Sequence, residues 1–159
     1  MSIPPYVLSL RERVGNDLLW MPGVTAVVLR DDGPRPALLL VRRADTGEWT
    51  PVTGIVDPGE EPAVAALREV REEADVEAVA ERLAQVSVVG PVVYANGDRS
   101  QYLDLTFRCR WVSGEPFPAD GENTDARWFD LDDLPPMAPD MAARVAAALP
   151  ARGEAEFTA

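Results

Sequence analysis

Apolar residues recur along this chain with two different periods. From Pro62 onward Ala63, Ala66, Leu67, Val70 and Ala74 fall at spacings of three and four, which predicts an amphipathic helix with one stripe able to bury against a sheet. Pro62 stands where a first-turn proline is tolerated, with Glu60 and Glu61 beside it at the helix end that favours negative charge. Two shorter apolar runs, Val24–Leu29 and Ala37–Val41, suit buried strands, and Asp31-Asp32-Gly33-Pro34 between them predicts a hairpin. Pro22-Gly23 reads as a turn into the first of these strands. Gln101–Trp111 alternates: Tyr102, Asp104, Thr106, Arg108 and Arg110 form a polar face, and Leu103, Leu105, Phe107, Cys109 and Trp111 an apolar one. This is the pattern of a half-buried antiparallel strand. Val86–Val93 reads as its partner across an Asn96-Gly97 turn, and Ala126–Leu131 as a further strand.

The remaining segments carry weaker patterns. Pro5–Arg13 reads as a short helix whose ordinary role is packing, with a homodimer contact as the alternative. Trp20 and Trp49 read as packing residues rather than platforms for a base. Glu77–Ala84 continues as helix or turn, Met141–Leu149 closes the chain as a helix, and the tail from Pro150 frays. Strands, a helix, further strands and a terminal helix predict an α+β domain with a mixed sheet between helices. A length of 159 residues with 47% hydrophobic side chains fits one domain over 1–159, its core about 23–134, flanked by N- and C-terminal helical extensions.

Composition narrows the chemistry. There is no histidine, which excludes a Ser-His-Asp triad, a histidine base and a histidine metal ligand. All 15 basic side chains are arginine, which removes a Walker-type lysine and a Schiff base. A net charge of -12 argues against nucleic acid as a partner. No apolar stretch reaches membrane-spanning length and no targeting segment is evident, so a soluble cytoplasmic protein with no membrane partner is the expectation. The lone Cys109 agrees with a reducing compartment.

What remains for ionic chemistry is carboxylate, arginine and bound metal, and the predicted helix concentrates the first two. Glu69, Glu72 and Glu73 stand at i, i+3 and i+4, three like charges on neighbouring positions. On the helix alone, a solvated acidic face eased by an Arg68–Glu72 pair is the commoner explanation. The alternative is that the carboxylates hold a hard divalent cation through oxygen.

In a longer frame the stretch reads Gly54, five residues, Glu60, seven residues, Arg68, Glu69, Val70, Arg71, Glu72, Glu73, Ala74, Asp75, Val76. It resembles the box of the Nudix (MutT-like) hydrolases, G-x5-E-x7-R-E-U-x-E-E-x-G-U, with Asp75 in place of the second glycine. The resemblance implies an α/β/α sandwich and hydrolysis of a diphosphate bond in a nucleoside diphosphate derivative such as ADP-ribose, a nucleotide sugar or a nucleoside triphosphate. It implies Mg²⁺, with Mn²⁺ as the alternative, held by Glu69, Glu72 and Glu73, with Glu60 as a further ligand or supporting partner. The carbonyl of Thr53 would be another ligand. Glu69 or Glu122 would be the general base, with Asp120 behind Glu122, and Arg68 would tie the loop to the helix. Arg42, Arg43 and Arg99 are the candidate contacts to substrate; Arg42 and Arg43 are equally explicable as a solvated strand end, and for Arg99 a solvated face is the commoner explanation. Asp75 and Val52-Thr53 depart from the family pattern and leave room for a nucleotide-binding sensor that has lost catalysis. The isomerases of this fold use a cysteine and histidine ligands, which this chain does not offer.

Overall fold

The computed structural model describes residues 3–159, so the first two positions of the expected span lie outside the described residues. Helix α1 (Pro5–Val14) precedes strands β1 (Leu19–Arg30), β2 (Ala37–Arg43), β3 (Trp49–Thr50) and β4 (Val52–Ile55). Helix α2 (Pro62–Ala74) follows, then β5 (Glu77–Val93), β6 (Arg99–Ser113), β7 (Asn123–Asp130) and helix α3 (Pro139–Ala148). The strands make one mixed sheet in the order β3-β2-β1-β6-β5, with β4 added to β1 and β7 to β2. β1 and β6 are parallel over their whole shared length, and the other pairs are antiparallel.

The two apolar runs are continuous because both faces of their strands are covered. Val24, Ala26, Val28, Leu39 and Val41 pack with Ala65, Ala66, Val70 and Ala74 of α2. Their neighbours Val27, Leu29, Leu38 and Leu40 pack on the opposite face with Val145 and Ala148 of α3. Helix α1 is anchored by Val7 against Met21 and Ile55. The α+β expectation and its mixed sheet between helices hold, and the hairpin of β1 and β2 closes as Leu29↔Leu38 and Arg30↔Ala37.

Several expectations are corrected. Glu77–Ala84 is the first half of β5, not helix or turn. Its alanines and glutamates favour helix, but α2 has already ended at Asp75, and β6 needs a partner from Ser113 back to Arg99. Pro22-Gly23 lies inside β1 rather than in a turn; the Pro22 carbonyl accepts from Val56 N (3.2 Å). Trp20 is 56% exposed and does not join the core, whereas Trp49 packs edge-on to Phe129. The tail does not simply fray: Glu156 donates to Ala84 O (2.8 Å) and accepts from Val86 N (2.9 Å) on the outer edge of β5.

The polar face of β6 is also different from a half-exposed strand. Asp104 and Thr106 are buried, as is Thr25 of β1 beside them. Helix α3 covers them with the equally buried Arg144, whose Nη1 donates to Thr25 Oγ1 (3.0 Å) and lies 3.7 Å from Asp104 Oδ1. Asp104 accepts from both threonine hydroxyls, so the group is internally satisfied.

Candidate functional site

The site is built where α2 lies across β4. Gly54 is paired with Val24 and faces the helix; a Cβ there would collide with the Cγ, Cδ and Oε1 atoms of Glu69. The missing side chain lets the helix carry a carboxylate down onto the sheet. Glu69 and Glu73 are therefore buried, while Glu72, one turn-fraction away, is exposed. Thr53, next to Gly54, pairs with Thr25 in the same ladder.

Arg68 organises the loop before the helix. Its Nε and Nη2 grip both oxygens of Glu60 (2.9 and 3.0 Å), and Nη2 also donates to Ile55 O (3.1 Å). Its Nη1 bridges Glu69 Oε1 (2.9 Å) and Glu72 Oε2 (3.1 Å). The fork shape of guanidinium makes this possible; an ammonium has no such geometry. Glu60 is thereby held well below the usual carboxylate range, and Asp57 N–H adds a further bond at 3.2 Å. Both Glu60 oxygens are engaged.

Glu73 is the opposite case. Burial pushes its carboxyl up to about 7, opposed by the bond from Asn123 Nδ2 (2.9 Å) and reinforced by the charges of Glu69 and Asp120. Its Oε1 is buried without a hydrogen-bond partner. Burial also raises Glu69, with Arg68 pulling the other way. A buried, proton-hungry carboxylate with an orphaned oxygen fits a hard cation, as does a donor set made wholly of oxygen. Among the described residues no three acidic side chains are yet drawn into one ligand group, since Arg68 holds Glu69 and Glu72 to itself.

Glu69, Glu72 and Arg68 line one side of a cavity of about 410 Å³, with Asp57, Asp120 and Glu122 on the other walls. Pro4 and Pro5 at the start of α1 close one end. Asp120 Oδ1 accepts from Glu122 N (3.0 Å), and Glu122 O accepts from Ala44 N (2.9 Å), which fixes this loop against the end of β2. The three arginines expected to meet substrate are outside these walls. Arg42 donates to Gly47 O, Arg43 is paired with Asp45 through two 2.9 Å bonds, and Arg99 donates to Asn16 O. Arg43 also lies within electrostatic reach of Glu73.

At the far end of α2, Asp75 takes up the left-handed conformation (φ 54°, ψ 35°) and donates its N–H to Arg71 O. The helix thus ends as a glycine would end it. A family model described as NUDIX domain matches residues 19–150. The chain belongs to the Nudix family. Among Nudix relatives, the NAD-capped RNA hydrolase NudC of Pseudomonas aeruginosa is 36% identical over 118 residues, 73% of this chain and 38% of that protein. A MutT-like protein of Streptomyces ambofaciens is 34% identical over 111 residues, 70% of this chain and 64% of its own length. The fold is similar to that of the Nudix domain of Shewanella oneidensis NrtR, solved with ADP ribose (TM-score 0.62, 22% identity, covering 93% of this chain and 97% of that one). This Nudix chain spans under half the length of the NudC proteins it matches.

Asn123 and Asp57 are the site residues that sequence patterns did not single out. Asp57 is one of many acids in a Pro-Gly loop. Asn123 follows Gly121-Glu122 and reads as part of a turn; only the strand register reveals where it points.

Proposed function

We propose that this protein is a pyrophosphohydrolase that cleaves the diphosphate bond of a nucleoside diphosphate derivative with water, aided by Mg²⁺ or Mn²⁺. The observation that carries the reading is the shared cavity: two box carboxylates, Glu69 and Glu72, face two loop carboxylates, Asp120 and Glu122, across one space of about 410 Å³. A cavity so acidic repels a polyphosphate unless cations enter with it. When bound, the ion neutralises diphosphate oxygens and acidifies a water that attacks phosphorus.

The chain's own residues then have distinct duties. Glu69, Glu72 and Glu73 are the proposed ligands, with the Thr53 carbonyl as a further oxygen. Glu60 is better suited to support, because Arg68 and Asp57 N–H already engage both of its oxygens. Arg68 keeps the loop and helix in register, and it holds Glu69 and Glu72, the carboxylates that would bind the cation, beside each other. Glu122 accepts the proton of the attacking water, and Asp120 holds the Glu122 backbone in place. Arg43, of the three arginine candidates, is the one proposed to reach substrate phosphate, after exchange from Asp45. Action in the cytoplasm is part of the same proposal; among the described residues no helix is long and apolar enough to cross a membrane.

The test is a screen of nucleoside diphosphate derivatives with Mg²⁺, identifying both products, run in parallel on Glu72→Gln. Glu72 is exposed and paired with Arg68, so the substitution is expected to abolish turnover with little change in Tm. Equal turnover by the variant sinks the ligand assignment. Binding by the wild type with no products from any compound assigns the sensor role instead.

A further inference from the structure

Asn123 opens β7, and its side chain points at α2 because of a one-residue irregularity in the strand. Along β2 and β7 the partners run Val41↔Ala126 and Arg42↔Asp125, then jump to Arg43↔Asn123. Thr124 is passed over, and its hydroxyl donates to Arg42 O (3.3 Å). An extra residue reverses the alternation of faces. Ala126 packs against α2, and Asn123, three positions earlier, reaches the same helix instead of the opposite face.

There it meets Glu73. Both side chains are buried, 5% and 1% exposed, and one bond joins them, from Nδ2 to Oε2 at 2.9 Å. Glu73 Oε1 and Asn123 Oδ1 are each buried without a hydrogen-bond partner. Two unsatisfied acceptors in one buried pair are costly, and native interiors rarely keep them without cause. Glu69 over the Gly54 cradle and Glu73 with its orphaned oxygen stand one helical turn apart on α2.

We infer that Asn123 is a positioning residue for Glu73: its amide fixes Oε2, so that Oε1 is turned to a divalent cation. This rests on the metal-dependent reading of the site given above. Alanine at 123 frees the Glu73 carboxylate to rotate away, as happens when partners that orient a ligand are removed elsewhere.

Mn²⁺ serves as the probe. Free Mn²⁺ is counted by its electron paramagnetic resonance signal during titration of the wild type, Asn123→Ala, Glu73→Gln and the double variant, with Tm measured in EDTA. The wild type is expected to take up the ion, and Asn123→Ala to bind it about tenfold or more weakly. In the Glu73→Gln background the Asn123 substitution is expected to add no further loss, since it acts through the carboxylate. Should Asn123→Ala fail to fold, Asn123→Ser keeps one donor at shorter reach and is expected to lose affinity several-fold. Wild-type affinity in the Asn123 variant overturns the inference while leaving the metal site standing. Additive losses in the double variant also overturn it, since they mean a purely structural tie. No uptake by the wild type removes the metal reading and this inference together.

Discussion

Gly54 sets how closely a carboxylate can approach the sheet. Any side chain there meets Glu69 itself, so Gly54→Ala is expected to expel that carboxylate from β4. Overpacking of this kind costs roughly 1–3 kcal/mol. Turnover is expected to fall far more than the Tm shift accounts for, which parallel thermal melts and assays will check. Glu73 makes a second prediction. Its folded-state pKa is pushed up to about 7 from an ordinary 4.5, chiefly by burial. The folded protein therefore holds that proton more tightly than the unfolded chain. The sign follows: the contribution favours folding at low pH, and it is lost as pH rises from about 4.5 through about 7, on the order of 3 kcal/mol. Denaturant titrations in EDTA at pH 5 and pH 8 are expected to show this loss in the wild type and not in Glu73→Gln. At this scale the sequence was informative about residues with fixed spacing. Helical spacing brought Glu69 and Glu72 onto one face, whereas Glu60 and the role of Arg68 were marked by the resemblance to the Nudix box. Asn123 could not, because an unpaired Thr124 decides its direction and no local pattern marks that irregularity.

Among the elements, α2 was the most legible, from its proline start to its apolar stripe, and its end is where the chain departs from the family pattern. Asp75 nevertheless adopts the left-handed cap. Aspartate enters that region at a cost that glycine does not bear, so Asp75→Gly is expected to raise stability by about 0.5–1 kcal/mol without loss of turnover. A higher Tm in calorimetry checks it. A lower Tm would show that the aspartate side chain contributes something the cap alone does not. β5 was legible only in its second half. Its first half is written in helix-favouring alanine and glutamate, and it is a strand because β6 lies beside it; that information is held in a distant segment. The charged face of β6 misled for a related reason. Alternation shows that Asp104 and Thr106 share a side, but it takes α3, more than thirty positions on, to bury them under Arg144. The same helix has its final carbonyls capped from the sheet: Arg82 Nη2 donates to Ala147 O (2.7 Å) and Arg108 Nη1 to Ala148 O (3.0 Å).

Over the whole molecule, the arginines are outnumbered by acid and many are tied to internal partners. The net charge is -12, and much of the cationic inventory is committed internally, with Arg68 and Arg144 in ion pairs and Arg82 and Arg108 on the last carbonyls of α3. A relative named for NAD-capped RNA therefore does not imply that this chain grips the RNA body. With a free dinucleotide and the same dinucleotide capping an oligonucleotide as rival substrates, kcat/KM is expected to be no higher for the oligonucleotide. A marked preference for the longer substrate, weakening steeply with salt, would contradict this. The bridge formed by Glu156 has a consequence of another kind. β5 is a 17-residue strand at the border of the sheet, with Val88 and Val93 exposed along it, and such a border invites strand addition from a second chain. Glu156 takes up the outward backbone groups of Ala84 and Val86 at the middle of that border. Those two backbone groups are thereby withheld from an incoming strand, so removal of the Glu156 segment is expected to promote edge-to-edge association, which light scattering of a truncated chain will check.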